Sequence, residues 1–254
     1  MPFTYPYPRP SVTCDVVAFT MRADDLAVLL IQRKDDPFKG QWALPGGFVD
    51  ENESLERAAA RELEEETHLT HLRMEQLGAF GDPGRDPRGH TVTVAYVAFL
   101  AHEPTVSAGD DAHAAEWKPF KRLVLGGTAT HSIAPPPGKK ATKKKTAAKT
   151  KSRRVAPDSG DGPIHLAFDH ARIVGRAYRR LVAHLDDPLR DTAFELVPPR
   201  FTLAELRRVY EVILGRKLPP NMIKKHLVDR GIVVLASTKP TKRAAAQLYR
   251  WNRR

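Results

Sequence analysis

The stretch from Gly47 to Leu69, GFVDENESLERAAARELEEETHL, constrains this chain more than any other. Ser54 suits a helix N-cap, and Leu55 to Thr67 holds no glycine or proline and no β-branched residue before its end. At about 100° per residue, Leu55, Ala58, Ala59 and Leu63 share one face. Glu62 and Glu66 fall within that apolar stripe and Glu65 sits on its edge, while Glu56 and Glu64 point away. Carboxylates one turn apart repel, and burying them without a partner costs several kcal/mol. A hard divalent cation removes both penalties, because Mg2+ takes oxygen ligands and completes its shell with water and phosphate. A solvated acidic helix is the blander account of an ELEEE run. The facing of Glu62 and Glu66, with Gly46, Gly47 and Glu53 upstream, argues against it. The helix needs a stop near residue 68, and histidine is among the few types besides glycine enriched in the left-handed conformation a stop requires.

By position the stretch reads Gly47, five residues, Glu53, seven residues, then Arg61-Glu62-Leu63-x-Glu65-Glu66-x-x-Leu69. That pattern resembles the Nudix box of hydrolases that cleave a nucleoside diphosphate linked to another group, with His68 in place of the usual glycine. The resemblance implies that Glu62, Glu65 and Glu66 hold Mg2+ or Mn2+, that Arg61 orients these carboxylates, and that Glu53 supports the loop. Gly46 and Gly47 are expected to line the ligand.

Ser11 to Thr20 and Leu26 to Arg33 are β-rich runs joined by the polar Arg22–Asp25 segment, a hairpin signal. Glu75 to Gly81 and Thr91 to Leu100 also read as strands, and between them lies GDPGRDPRGH. Each Gly, Pro and Asp there has an ordinary turn role. The functional alternative is that Arg85 and Arg88 turn two guanidinium groups toward a metal-held diphosphate. GDPxRDPRG before a VTVAY strand looks like the Nudix subgroup that acts on ADP-ribose, and Asp110, Asp111, Glu116 and Trp117 resemble its late segment.

Charge divides the 254 residues sharply. Residues 1–125 carry 13 Lys/Arg against 20 Asp/Glu, residues 126–163 carry 9 against 2, and residues 164–254 carry 19 against 8. An acidic half that collects a cation, followed by a basic half, predicts two different partners, the second bearing phosphate. Residues 126–163 lack large apolar periodicity and read as a basic, disordered linker between a domain over 1–125 and one over 164–254. The lone Cys14 excludes an internal disulfide, no apolar run spans a membrane, and MPFTYPYPRP does not read as a signal peptide, so a cytoplasmic protein is expected, nucleoid-associated when bound to DNA.

The C-terminal part predicts a helix over His165–Leu185, carrying Leu166, Ile173, Val174, Ala177 and Leu181. A capping box at Thr202–Glu205 opens a second helix that stops at Gly215. A short helix from Pro219-Pro220 to about Arg230 follows, then strands over Ile232–Leu235 and Gln247–Trp251 around a basic loop. This order is that of a winged helix-turn-helix. Met222, Ile223 and Leu227 share the packing side of the short helix, leaving Asn221, Lys224, Lys225 and Val228 outward. Asn reads adenine and Lys reads guanine in the major groove, and Lys239, Lys242 and Arg243 in the wing are expected on backbone phosphates.

Taken together, the box, GDPGRDPRG, LAFDHARI at 166–173, FTLAELRRVYEVILGRKLPPN at 201–221 and LYRWN at 248–252 resemble the Nudix-related transcriptional regulators of NAD metabolism, the NrtR family. The resemblance implies an α/β Nudix fold, an α/β/α sandwich with a mixed sheet, plus an α+β winged helix-turn-helix. It further implies a homodimeric repressor of operators near genes of NAD synthesis or salvage, sensing ADP-ribose or a related nucleotide. The enzymatic alternative is a Mg2+-dependent ADP-ribose pyrophosphatase with an accessory basic domain. A nonspecific nucleic-acid-binding scaffold is the third class.

Overall fold

The computed structural model describes residues 6–22, 25–109, 112–125, 162–185, 192–239 and 246–252. Strands β1 (Ser11–Arg22), β2 (Asp25–Arg33), β3 (Trp42–Ala43), β4 (Gly46–Phe48), β5 (Glu75–Phe80), β6 (Thr91–Leu100) and β7 (Ala112–Pro119) form one mixed sheet. Its order is β3-β2-β1-β6-β5, with β4 added to β1 and β7 to β2. β1 and β6 run parallel from Ser11 opposite Thr91 to Thr20 opposite Leu100, and the other pairs are antiparallel.

Alternation along the strands builds two cores. Cys14, Val16, Ala18, Val94, Tyr96 and Ala98 face helix α1 (Leu55–Thr67) and pack on its Ala58, Ala59 and Leu63. Val17, Phe19, Val28, Leu30, Ala95 and Val97 face the other way. They are covered by helix α2 (His170–Ala183) through Ile173, Val174, Ala177 and Leu181, which completes the expected sandwich. Ser54 caps α1 by accepting from Arg57 N–H at 3.3 Å, and His68 ends it at φ 59°, ψ 19°.

Two expectations change here. The helix expected from His165 starts at His170. Ile164 and Leu166 instead make parallel bridges to Leu123 and Trp42, and Phe168 turns the chain at φ 52°. Residues 164–185 were expected with the C-terminal half, yet α2 lies on the first sheet. Arg180 donates to Glu75 at 2.6 Å and to the Gln76 carbonyl at 2.8 Å, and Arg172 pairs with Asp82. The cause is area. Without α2 the part of the sheet that packs on Ile173, Val174, Ala177 and Leu181 stands in water, at about 25 cal/mol per Å² of apolar surface.

Helix α3 (Leu203–Leu214) has the expected capping box of Thr202 and Glu205 and ends at Gly215 with φ 63°. The short helix after Pro219-Pro220 ends in a wider turn than an α-helix has. Met222 to Val228 are helical, and the last five residues form a π-turn closed by Asp229 N–H on the Lys224 carbonyl. Strands β8 (Val233–Lys239) and β9 (Ala246–Trp251) make the wing. Ile223 and Leu227 are buried as expected, whereas Val228, expected outward, packs partly on the core. The apolar core runs without a break from Val17 and Phe19 through α2 to Tyr210 and Tyr249. No helix among the described residues is long and apolar enough to cross a membrane.

Candidate functional site

Gly46 and Gly47 bring the β4 backbone close against β1 and the Glu62 side chain. A Cβ at Gly46 stands 2.1 Å from the Cys14 carbonyl, and φ 152° there favours glycine independently. A Cβ at Gly47 stands 2.4 Å from Glu62 Oε1. This close approach lets Gly46 N–H donate to Glu66 Oε2 at 2.8 Å. Glu66 is 8% exposed, and burial pushes its carboxyl up to about 8 despite the Gly46 N–H, with the negative charges of Glu62 and Asp15 pushing the same way. Glu62 is also raised, chiefly by burial, against the opposing pull of Arg61.

Arg61 gathers the carboxylates around it. Its guanidinium donates to both Glu53 oxygens at 3.0 and 2.9 Å, to Glu62 at 2.9 Å, to Glu65 at 3.0 Å and to the Phe48 carbonyl at 3.0 Å. Hydrogen bonding to Arg61 holds Glu53 below the usual carboxylate range. Glu65 is turned to solvent on this guanidinium, its side chain 55% exposed. The described residues therefore hold no ready cluster of three metal-ligating side chains. Two crowded carboxylates with raised pKa, Glu62 and Glu66, fit a divalent cation, because a positive charge relieves the burial and repulsion that raise them. Glu65 joins them only by leaving Arg61.

Beside the glycines a cleft is lined by Thr13, Asp15, Arg33, Leu44, Gly46, Gly47, Arg85, Asp86, Arg88, Phe168 and His170. Both expected arginines are there, differently held. The Arg85 side chain is only 5% exposed and grips Asp169 by two-pronged contact, Nη2 at 2.7 Å and Nε at 3.1 Å, with Asp15 at 3.7 Å. Arg88 is more open, paired with Asp86 at 2.8 Å and lying 5.0 Å from the Phe48 ring and 5.5 Å from that of Phe168. His170 Nδ1 accepts Leu44 N–H at 2.9 Å, which places the ring proton on Nε2, 3.5 Å from Asp15 Oδ1. Burial lowers the His170 pKa, outweighing the pull of Asp15.

Asp15, Arg33, Asp86, Phe168, Asp169 and His170 had not been singled out. Asp86 lay within GDPGRDPRG and Phe168, Asp169 and His170 within LAFDHARI, and Asp15 carried a signal of its own as the one charge within the apolar strand SVTCDVVAFT. Of the residues expected on DNA, Asn221 just before the short helix and Lys224 and Lys225 on it are all exposed. Lys239 ends β8, while Lys242, Arg243, Asp110, Asp111 and the linker over 126–161 lie outside the described residues.

Residues 12–137 match the NUDIX domain family, and residues 193–251 match the NrtR DNA-binding winged helix domain. The chain is 31% identical over 250 residues to the ADPR responsive transcriptional repressor NtrR of Acinetobacter baylyi, spanning 96% of this chain and 83% of that one. It is 41% identical over 117 residues to an ADP-ribose pyrophosphatase of Methanocaldococcus jannaschii, spanning 46% and 66%. Among solved structures it resembles Shewanella oneidensis NrtR complexed with a 27mer DNA at a TM-score of 0.62 and 26% identity, covering 95% of this chain and 93% of that one. The NUDIX domain of the same protein complexed with ADP ribose matches at a TM-score of 0.50 and 30% identity, covering 69% and 90%. With a relative at this identity along nearly its whole length, and both component domains matched in order, the chain belongs to the NrtR family, a Nudix domain joined to a winged-helix DNA-binding domain.

Proposed function

We propose that this protein is a transcriptional repressor that holds operator DNA through its winged helix and lets go when ADP-ribose, or a related nucleotide, fills the cleft beside Gly46 and Gly47. The observation that carries the reading is the placement of α2. Its first turn, at Asp169 and His170, walls the cleft, and its middle, at Tyr178, hydrogen-bonds α3. One element touching both the cleft and the winged-helix domain gives the ligand a physical route to the DNA-binding part. Asn221, Lys224 and Lys225 read the major groove, with Lys239, Lys242 and Arg243 on phosphates. A homodimer addresses two half-sites about one helical turn apart, near genes of NAD synthesis or salvage. The lysine-rich stretch over 126–163 adds nonspecific phosphate attraction. The protein works in the cytoplasm, on the nucleoid when bound to DNA.

Glu62 and Glu66, joined by Glu65, would hold Mg2+ or Mn2+, which would polarise the diphosphate and activate water. Arg61 keeps those carboxylates oriented, Glu53 anchors Arg61, and Arg85 and Arg88 supply positive charge to the diphosphate. The intact box supports a second reading, slow hydrolysis of ADP-ribose to AMP and ribose 5-phosphate. A gel shift on promoters of NAD-synthesis genes, with and without ADP-ribose and Mg2+, tests the repressor reading. Specific retardation that ADP-ribose relieves is expected; equal binding of random DNA, or indifference to saturating ADP-ribose, sinks it.

A further inference from the structure

We infer that Asp169 competes with the diphosphate of the ligand for Arg85, and that this exchange is how a filled cleft is felt by α2. Asp169 is then a positioning residue, acting on the ligand through Arg85. The inference rests on the nucleotide reading above and adds the contact that ligand binding breaks.

Both arginines expected at the diphosphate are already matched to a carboxylate. Arg88 holds Asp86 through Nε at 3.1 Å and Nη2 at 2.8 Å, and Arg85 holds Asp169 through Nε at 3.1 Å and Nη2 at 2.7 Å. This two-pronged edge is the one a guanidinium turns to a phosphate, so neither arginine can offer it to a ligand while keeping its aspartate. The two pairs differ in reach. Asp86 is 2 residues from Arg88 in the same loop, and its release stays within that loop. Asp169 is 84 residues from Arg85 and immediately precedes α2.

Asp169 holds the N-cap position of α2, and aspartate is a preferred N-cap because its carboxylate accepts first-turn N–H groups. Here it caps nothing. Both its oxygens face Arg85, and its backbone, at φ −98° and ψ 19°, lies outside the extended region that capping residues use. A second arrangement is therefore at hand. Once Arg85 turns to a diphosphate, the Asp169 carboxylate is left largely buried without its cation, near Asp15, which shares the same Arg85 Nη2 at 3.7 Å. The first-turn N–H groups and the positive end of the helix relieve that cost. Turning to them shifts the start of α2, whose middle holds α3 through Tyr178.

If the pair is only a brace, breaking it weakens the ligand site or leaves it unchanged. The test compares full-length wild type with Asp169→Asn, which keeps the shape and capping ability of the side chain and drops its charge. ADP-ribose affinity with Mg2+ is read by calorimetry, and operator affinity by fluorescence anisotropy. Asp169→Asn should bind ADP-ribose about fivefold or more tighter, hold the operator more weakly when no ligand is added, and shrink the factor by which ADP-ribose weakens operator binding. Asp169→Glu, which keeps the carboxylate, should restore part of that factor. The inference is overturned by an ADP-ribose affinity that is unchanged or lower in Asp169→Asn, by an unchanged factor, or by a factor no larger in Asp169→Glu than in Asp169→Asn. If Asp169→Asn does not fold, the Arg85 Nε–H resonance of the wild type decides. It should move when ADP-ribose is added, and a resonance that stays in place overturns the inference equally. A wild type whose operator binding ignores ADP-ribose overturns the effector reading itself, a separate result.

Discussion

Tyr178 on α2 donates its hydroxyl to the carbonyl of Ile213 on α3, at 2.5 Å, and its ring stacks on Phe120 with centroids 4.5 Å apart. The hydroxyl is half-buried, and burial raises its pKa. Ile213 sits in the last turn of α3, where carbonyls lack intrahelical partners. The bond therefore fixes the helix-turn-helix to the element that walls the ligand cleft.

Removing that hydroxyl tests the coupling. Tyr178→Phe keeps the ring and leaves the Ile213 carbonyl short of a donor, at about 1 kcal/mol of stability. ADP-ribose affinity should not change, since Tyr178 lies outside the cleft. The factor by which ADP-ribose weakens operator binding should shrink at least several-fold, as measured by fluorescence anisotropy. An unchanged factor means that the signal bypasses this bond.

Gly47→Ala separates fold from site. The new Cβ meets the carboxylate of Glu62, the free end of a flexible side chain, and not backbone. Glu62 can swing away, so thermal unfolding should shift by only a few degrees. The displaced carboxylate no longer pairs with Glu66 at a cation, and Mg2+-dependent ADP-ribose binding should fall by about tenfold or more, the cost of one ligand or its support. Operator binding without ligand should persist. Loss of DNA binding together with ligand binding would mean that the glycine serves the fold.

His170 makes part of the acid sensitivity predictable. Its folded pKa lies below the ordinary 6.5, so the unfolded chain binds more protons at mildly acidic pH. Stability is complete above about pH 6.5 and declines as pH falls below it, at up to about 1.4 kcal/mol per pH unit. His170→Gln keeps an acceptor for Leu44 N–H and removes the titration. Urea unfolding at pH 7.5 and 5.0 should therefore show a smaller drop for the variant, even if it starts less stable. Parallel drops exclude His170 as the source.

How much of this was legible in the sequence follows from where the determinants lie. The Glu62 and Glu66 facing and the Ser54 and His68 helix ends are local, set within a few turns of one helix, and are found as read. The long-range relations were not legible. Asp169 and His170 look like an ordinary helix start until residues 84 and 126 positions upstream bring Arg85 and Leu44 beside them. The same distance hid the packing of α2, because an apolar stripe states that a helix is buried without stating against which sheet. The π-turn at Lys224–Val228 also escaped, since a change from i+4 to i+5 bonding leaves no mark on an apolar pattern this short.

The exposed face of that short helix gives the last prediction. Asn221, Lys224 and Lys225 project from it while Ile223 and Leu227 anchor it in the core. If the lysines neutralise phosphates, Lys225→Ala should lower affinity for operator and random DNA alike and reduce the slope of log K against log salt by about 1. If Asn221 reads a base, Asn221→Ala should leave that slope unchanged and weaken operator binding alone, by about 1–3 kcal/mol. Salt titrations of both variants on operator and random duplexes give four slopes and four affinities. A Lys225→Ala loss confined to operator assigns that side chain to base readout, and an Asn221→Ala loss common to both duplexes removes Asn221 from it.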